Sequence, residues 1–184
     1  MQLEQIIEIE KREFGFMFMD LDKPMRRYQL FSSQDELEYY IDEEQPDHCF
    51  VSTAYFKDRD LSMKSWIGAD LFFDFDVDAT GNKRLAQADA ESTYLMLLDN
   101  FGLEKVRLSF SGNKGYHVMS FDDAPKILNA AARREICDYL IEVGALKSLD
   151  TPTSADLRRL RRITGTKNAK SGRECRIIKQ STAI

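Results

Sequence analysis

The residues best suited to chemistry are three alternating aspartates within DLFFDFDVDATG, residues 70–81. On a β-strand alternate side chains share a face, so Asp74, Asp76 and Asp78 would project together while Phe75 and Val77 pack beneath them. Carboxylates held this close repel one another unless water or a cation lies between them. The pattern indicates either a solvated strand face or a site for a hard divalent cation, Mg²⁺ or Mn²⁺, used together with a substrate's phosphates.

A calcium loop of the EF-hand type also opens with D-x-D-x-D, but two positions exclude it. The sixth position requires Gly and is Ala79, and the twelfth requires a bidentate Glu and is Leu85.

The second motif is SFSGNKGYHVMSF, residues 109–121, which predicts a hairpin with a glycine-rich tip between two apolar strands. Its tip can offer backbone N–H groups, the Ser111 hydroxyl and the Lys114 ammonium to phosphate oxygens, and His117 follows on the return strand. Such hairpins are also common as plain structure. The spacing of a P-loop is absent, and Ser109 stands where a nucleophile elbow needs its first Gly.

The third motif is a basic segment that follows Asp150 and contains Arg158, Arg159, Arg161 and Arg162. We expect these arginines on a short helix or turn, with at least one facing inward. A planar guanidinium suits phosphate, and Asp150 would suit a metal site beside it. A solvated basic face is the alternative reading.

Strands and helices are mixed along the chain without a regular βαβ alternation, which predicts an α+β fold in one domain, residues 1–184. Helices are expected from a capping box at Ser33 and Glu36, over about 83–100, and from about Pro125 to Gly144. Apolar runs predict strands at 14–19, 28–31, 49–56, 70–77, 106–110 and 116–121.

Composition limits the function classes. Hydrophobic residues make up 43% of the 184 and charged residues 31%, and no apolar run is long enough to span a membrane, so we expect a cytoplasmic protein. Three widely spaced cysteines and two histidines offer little material for a zinc site or a Ser-His-Asp hydrolase. The net charge is -5, yet residues 151–184 hold nine basic residues against two acidic ones, a local field that favours an anionic ligand.

The order of the three motifs resembles the small catalytic subunit of DNA primase, archaeal type, in the archaeo-eukaryotic primase superfamily. The chain shows h-h-D-h-D on a strand, then S-G-x-x-G-x-H on a hairpin, then an isolated Asp followed by L-x-R-h-x-G. KREFGF at 11–16 and VSTAYF at 51–56 are also similar to family segments, so the resemblance covers about residues 11–172. It implies the primase catalytic fold, with mixed or antiparallel sheets flanked by helices.

Several residues match the family's functional positions. The resemblance makes Asp74, Asp76 and Asp150 the catalytic ligands of two Mg²⁺ or Mn²⁺ ions, with Asp78 an accessory. It implies that the remaining matched positions bind the incoming nucleoside triphosphate: Ser111, Gly112, Lys114, Gly115, His117, Arg159, Arg162 and Asn168. Lys114, His117 and Arg162 would neutralise the triphosphate's charge, and the acids, without metal, would raise one another's pKa.

The implied function is primer synthesis on a single-stranded DNA template by a nucleotidyltransferase, with a large primase subunit as a further partner. The alternative is a weak or inactive primase-like subunit that binds nucleotides or regulates replication or repair. Two departures bear on this choice. Residues 79–105 hold no Cys or His, so the zinc-binding insertion of many relatives is missing and no zinc is expected, and Thr164 and Asn168 replace a family Pro and His.

Overall fold

The computed structural model describes residues 2–18, 24–77 and 81–182. Its helices are α1 (Gln34–Glu44), α2 (Lys83–Asp99), α3 (Ala130–Gly144) and α4 (Thr151–Ser154), with 3-10 turns at Ile9–Lys11 and Ala124–Ile127. Its strands are β1 (Phe14–Met17), β2 (Arg26–Gln29), β3 (His48–Ser52), β4 (Ala54–Phe56), β5 (Trp66–Ala69), β6 (Leu71–Phe75), β7 (Val106–Phe110), β8 (Tyr116–Ser120), β9 (Leu160–Arg162) and β10 (Arg176–Gln180). None of the helices in these ranges has both the length and the apolar character to cross a membrane.

The strands form two four-stranded sheets and one two-stranded ribbon. The first sheet has the order β2-β1-β3-β9, the second β10-β7-β8-β6, and the ribbon pairs β4 with β5. Each of these pairings is antiparallel. The α+β prediction is confirmed, while the assignment of residues 1–184 to one domain stays a prediction.

Each large sheet packs against helices through its own apolar core. Phe73, Phe75 and Val77 lie under α2 and α3 with Leu97 and Leu140, as the alternation along the aspartate strand predicted. The first sheet packs on α1 and the N-terminal segment through a second cluster that includes Phe14, Phe16, Leu37, Val51 and Ile163. Burial of these faces leaves the opposite faces of the two sheets free to carry polar groups.

A buried carboxylate near the N-terminus joins the two large sheets. Glu4 accepts hydrogen bonds from Arg161 on β9, from the Thr164 N–H at 2.8 Å and from Arg107 on β7 at 2.5 Å. Burial alone would raise the pKa of Glu4, but these partners hold it below its ordinary value. The pairing therefore keeps a charged group stable in the interior, and it fixes β9 relative to β7.

A second buried network surrounds Asp70, which directly precedes β6. Arg12 Nη2 lies 2.8 Å from Asp70 Oδ2, and Tyr55 donates its hydroxyl proton to Asp70 Oδ1 at 2.7 Å. Arg133 from α3 donates to the Asp70 carbonyl at 2.8 Å. All four side chains are buried, so the start of β6 is held by charge as well as by packing.

Three sequence expectations need correction. Residues 160–162 form strand β9, not part of a helix or turn, because Phe50, Val51 and Ser52 of β3 pair with them. The run 49–56 is two strands in different sheets, broken at Thr53, whose N–H donates to the Arg159 carbonyl at 2.8 Å. The third helix begins at Ala130, capped by Asn129, and Pro125 lies in the preceding 3-10 turn.

We predict that Arg12→Met lowers the free energy of unfolding by about 3 to 5 kcal/mol, because it leaves the buried Asp70 charge uncompensated. Urea denaturation measures this change. The control is Arg26→Met, which breaks the exposed Arg26–Glu44 pair (3.0 Å) and should leave the free energy of unfolding nearly unchanged. Equal losses in the two variants would contradict the stabilising role given to the buried pair.

Candidate active site

A cleft of about 320 Å³ lies between the polar faces of the two large sheets. It collects most of the residues predicted from the three motifs. The predicted residues that line the cleft are Asp74, Asp76, Ser111, Lys114, Gly115, His117, Arg159, Arg162 and Asn168. Asp150 and Gly112 do not line it, and Asp78 lies outside the described residues.

The acidic wall of the cleft is formed by one face of β6 and by the residue that follows the strand. Phe72, Asp74 and Asp76 line the cleft from alternate positions. In the antiparallel register Asp74 lies opposite His117 on β8, and His117 lies opposite Ser109 on β7. The Nε2 atom of His117 is 3.7 Å from Asp74 Oδ1. Strand pairing thus brings together residues that lie more than forty positions apart in the chain.

Asp74 is poorly solvated and surrounded by charge. Its pKa is raised to about 7, chiefly by burial and also by the neighbouring Asp150 and Asp76, although Arg159, 3.8 Å away, lowers it. The predicted mutual repulsion of the acids is confirmed in direction, although burial is the larger cause. A cation bound here would relieve both effects, because it would stabilise the ionised carboxylate.

Asp150 is joined to the acidic wall through its backbone. Its N–H donates to the Asp74 carbonyl at 2.8 Å. Its carboxylate caps α4, accepting hydrogen bonds from the Thr153 N–H at 2.9 Å and the Thr153 hydroxyl at 2.8 Å. Within the described residues, no three acids, histidines or cysteines form a cluster able to hold a metal ion by themselves. The role of Asp150 as a third ligand therefore stays a prediction.

Two glycines shape the hairpin tip that forms the floor of the cleft. Gly112 has φ +89°, a conformation that favours glycine, and a Cβ there would lie 3.0 Å from the Arg173 carbonyl oxygen. A Cβ on Gly115 would lie 2.6 Å from the Phe75 carbonyl oxygen. The turn closes with the Ser111 N–H donating to the Gly115 carbonyl at 3.0 Å. Both glycines are thus required by close backbone approach.

His117 is neutral in this environment. Its pKa is lowered to about 3, chiefly by burial and also by Arg161, Arg162 and Arg159. The expectation that His117 contributes positive charge is therefore not met in the protein without a bound anion. A neutral imidazole offers one N–H donor and one acceptor instead.

The basic wall comes from β9 and the residue before it. Arg161 is paired with Glu4, but Arg162 has no carboxylate partner among the described residues; its Nη1 lies 2.9 Å from His48 Nδ1. Burial and the Arg162 charge lower the pKa of His48, so His48 is neutral and accepts this hydrogen bond. The buried Nε atoms of Arg159 and Arg161 also have no hydrogen-bond partner within the described ranges. Buried donors left in this state favour binding of an anion.

Sequence reasoning missed Phe50 and Lys170, which line the cleft, and it named Arg161 in the basic segment without assigning it to the site. Lys170 lies two residues after Asn168, and its N–H donates to Asn168 Oδ1 at 3.1 Å. The basic charge of the segment was the available signal for Arg161 and Lys170. Nothing in the sequence pointed to His48 as the partner of Arg162, since the two lie on different strands.

Comparison with known proteins finds similar chains and similar folds. No protein-family model matches the chain. The DNA primase small subunit PriS of Methanospirillum hungatei is 36% identical over 156 residues, which cover 77% of this chain and 40% of that protein. The chain spans 38% to 49% of the length of this and similar archaeal relatives.

Solved structures show the same fold. The AEP domain of the primase-polymerase of cyanophage S-2L has a TM-score of 0.57 at 11% identity, covering 95% of this chain and 83% of that one. The catalytic domain of primase RepB′ in complex with initiator DNA also has a TM-score of 0.57, at 12% identity over 94% of this chain and 78% of that one. These structures confirm the predicted primase catalytic fold. Over the matched region the chain is similar to the small subunit of archaeal DNA primase.

We predict that Asp74→Asn stabilises the metal-free protein at pH 8 by at least about 1 kcal/mol and has little effect near pH 4. In the folded protein the pKa of Asp74 is raised to about 7. As the pH rises, the folded state therefore keeps the Asp74 proton after the unfolded chain has lost it. Stability therefore falls as the pH rises from about 4 to 7, and Asn removes this loss. Urea denaturation in a chelating buffer at both pH values tests it.

The matched control for this pH effect is Asp99→Asn, an exposed aspartate at the end of α2. It should change stability equally at pH 4 and pH 8. A similar, pH-independent change in Asp74→Asn would contradict the electrostatic account of the acidic wall.

Proposed function

We propose that this chain is a nucleotidyltransferase that synthesises short primers on a single-stranded DNA template. The observation that carries the proposal is the cleft itself, where a carboxylate wall on β6 faces a wall of incompletely satisfied arginines on and beside β9. Transfer of a nucleotide needs both: acids to hold divalent cations, and fixed cations to hold a triphosphate. The similarity to archaeal primase small subunits supports the same reaction.

The triphosphate would lie between the hairpin tip and β9. Lys114 and the Ser111 hydroxyl approach from the hairpin, and Arg159 and Arg162 approach from the opposite wall. Arg162 suits this role best, because it is a buried cation whose polar contacts are a neutral imidazole and a backbone carbonyl. A phosphate oxygen would supply the negative charge that it lacks.

His117 would contact the triphosphate first as a hydrogen-bond donor. Its Nε2 lies near Asp74, and burial keeps the ring neutral until negative charge enters the cleft. A bound triphosphate would raise the pKa of His117 toward its ordinary value, since it offsets the effect of the three arginines. Asn168 replaces the family histidine at the far end of the cleft, where its side chain can donate or accept a hydrogen bond but carries no charge.

Asp74 and Asp76 would hold divalent cations, Mg²⁺ or Mn²⁺, together with the phosphates. Mg²⁺ is usually bound through one or two carboxylates plus substrate phosphates, so the absence of a complete ligand cluster among the described residues agrees with this arrangement. When bound, the ions lower the pKa of the attacking 3′-hydroxyl and neutralise charge on the leaving pyrophosphate. Asp150, whose N–H donates to the Asp74 carbonyl at 2.8 Å, would join them once its carboxylate turns away from Thr153.

The proposal also covers the DNA template and a partner subunit. The catalytic domain of primase RepB′ was solved with initiator DNA, and the archaeal relatives are named small subunits, which implies a larger partner for them. For this chain we propose single-stranded DNA as the template and a large subunit as a further partner.

We predict that Asp76→Asn reduces incorporation of labelled nucleotides on a homopolymer template by at least about 100-fold, because it removes one ligand charge from the reacting centre. Asp76 is exposed, so the variant should fold normally, as circular dichroism can verify. Asp138→Asn, at an exposed position on α3, is the control and should leave incorporation unchanged. Primer synthesis at the normal rate by folded Asp76→Asn protein would overturn the proposal.

A further inference from the structure

A second groove, of about 880 Å³, lies on the other face of the β7–β8 hairpin. Along these strands Phe110 and Tyr116 alternate with Ser109 and His117, so they point away from the cleft. Residues of the groove include Gln87, Phe110, Tyr116, Arg173, Arg176 and Ile177. None of these six was used in the reaction proposed above.

Two aromatic rings and a guanidinium form the floor of the groove. The ring centroids of Phe110 and Tyr116 are 5.6 Å apart, and the Arg173 guanidinium carbon lies 4.9 Å from the Phe110 centroid. Arg173 also donates a hydrogen bond to the Asn113 carbonyl at the hairpin tip, which fixes its position. Tyr116 donates its hydroxyl proton to Gln87 Oε1 at 3.2 Å. The aromatic surface is thus held rigidly and is only partly covered.

The charge of the groove is positive. Among the described residues that line it, Arg173 and Arg176 oppose a single carboxylate, Glu174. Burial and Glu91 raise the pKa of Tyr116, whereas Arg173 and Arg176 lower it. Aromatic faces beside guanidinium groups are the combination that binds single-stranded nucleic acids without sequence preference.

An extended peptide added to the edge strand β10 is the main rival occupant. The register of β10 shifts between Ile177 and Lys179, and a bulge of this kind twists an edge away from pairing. Arg176 and Lys179 place charge on the same edge, which also disfavours strand addition. The chemistry therefore favours nucleic acid over a peptide strand.

We propose that this groove binds the single-stranded template, with bases against Phe110 and Tyr116 and phosphates at Arg173 and Arg176. The inference rests on the proposed function, because it gives the path of the template to the same reaction site. Asn113 and Gly115 of the hairpin tip line the cleft, while the flanking Phe110 and Tyr116 line the groove. A strand that leaves the groove around the tip therefore enters the cleft.

Fluorescence anisotropy of labelled oligothymidylate, without nucleotide or metal, tests the groove directly. We expect Arg173→Gln/Arg176→Gln to weaken binding about ten-fold at low salt and to reduce the dependence of affinity on salt, because two phosphate contacts are lost. The control is Arg134→Gln, which removes one exposed positive charge from α3 and should bind the oligonucleotide with wild-type affinity. Unchanged affinity in the double variant would overturn the proposal.

Arg173 also contacts the hairpin tip, so Arg176→Gln alone serves as a second variant that leaves this contact intact. It should lose part of the oligonucleotide affinity while keeping the wild-type affinity for a labelled nucleoside triphosphate with Mn²⁺. Equal loss of both affinities would contradict a separate groove. Affinity for the oligonucleotide equal to that of the wild-type protein would do so as well.

Photo-crosslinking separates this inference from the proposed function. Oligonucleotides that carry 5-iododeoxyuridine should crosslink to Phe110 or Tyr116, as mass spectrometry of the digested protein can show. Crosslinks confined to other surfaces would overturn the inference. Displacement of the oligonucleotide by a peptide strand that binds in the groove would also overturn it. If no nucleotide is incorporated but these crosslinks form, the groove is supported and the proposed reaction is not. If incorporation proceeds without them, the reaction is supported and the groove is not.

Discussion

The register between β6 and β8 is the constraint on which the site depends. It places Asp74 opposite His117, and the pairing of β8 with β7 then sets the hairpin tip against the end of β6. A slip of one residue would turn Asp74 into the apolar core and expose Phe75. Packing of the alternating aromatic face under α2 and α3 excludes that slip, so the hydrophobic core fixes the position of the carboxylates.

Charge balance across the cleft follows from the same arrangement. Acids on β6 and arginines on and beside β9 belong to different sheets, and the buried Glu4 holds both Arg107 and Arg161 in place between them. Two features remain unbalanced without a ligand. Asp74 has a raised pKa, and Arg162 has a neutral histidine where a carboxylate would be usual. Groups in this state lower the stability of the ligand-free protein. Binding of a metal ion and a phosphate would remove this cost, which is typical of functional sites.

Sequence patterns could predict those parts of the fold that local periodicity encodes. The alternation of Phe73, Asp74 and Phe75 gave the correct strand and the correct faces, and the glycines of the hairpin gave the turn. Strand β9 could not be predicted, because its pairing partner β3 lies more than a hundred residues earlier and its arginines have no strand-like alternation. The neutral state of His117 and the contact between His48 and Arg162 also depend on burial and on distant neighbours. The motif order predicted most of the residues that line the cleft, but not Asp150 or Gly112, which lie outside its lining. The protonation and the partners of the lining residues depend on the three-dimensional structure.

The central claim is that the acidic wall and the arginine wall bind one ligand together. Titration of Mn²⁺ followed by electron paramagnetic resonance, with and without a non-hydrolysable nucleoside triphosphate, tests it most directly. If the claim is correct, Mn²⁺ binds weakly alone and at least about ten-fold more tightly with the nucleotide, and Arg162→Gln removes that gain although it touches no metal ligand. Mn²⁺ affinity that is independent of the nucleotide, or a gain that survives in folded Arg162→Gln protein, would contradict the account.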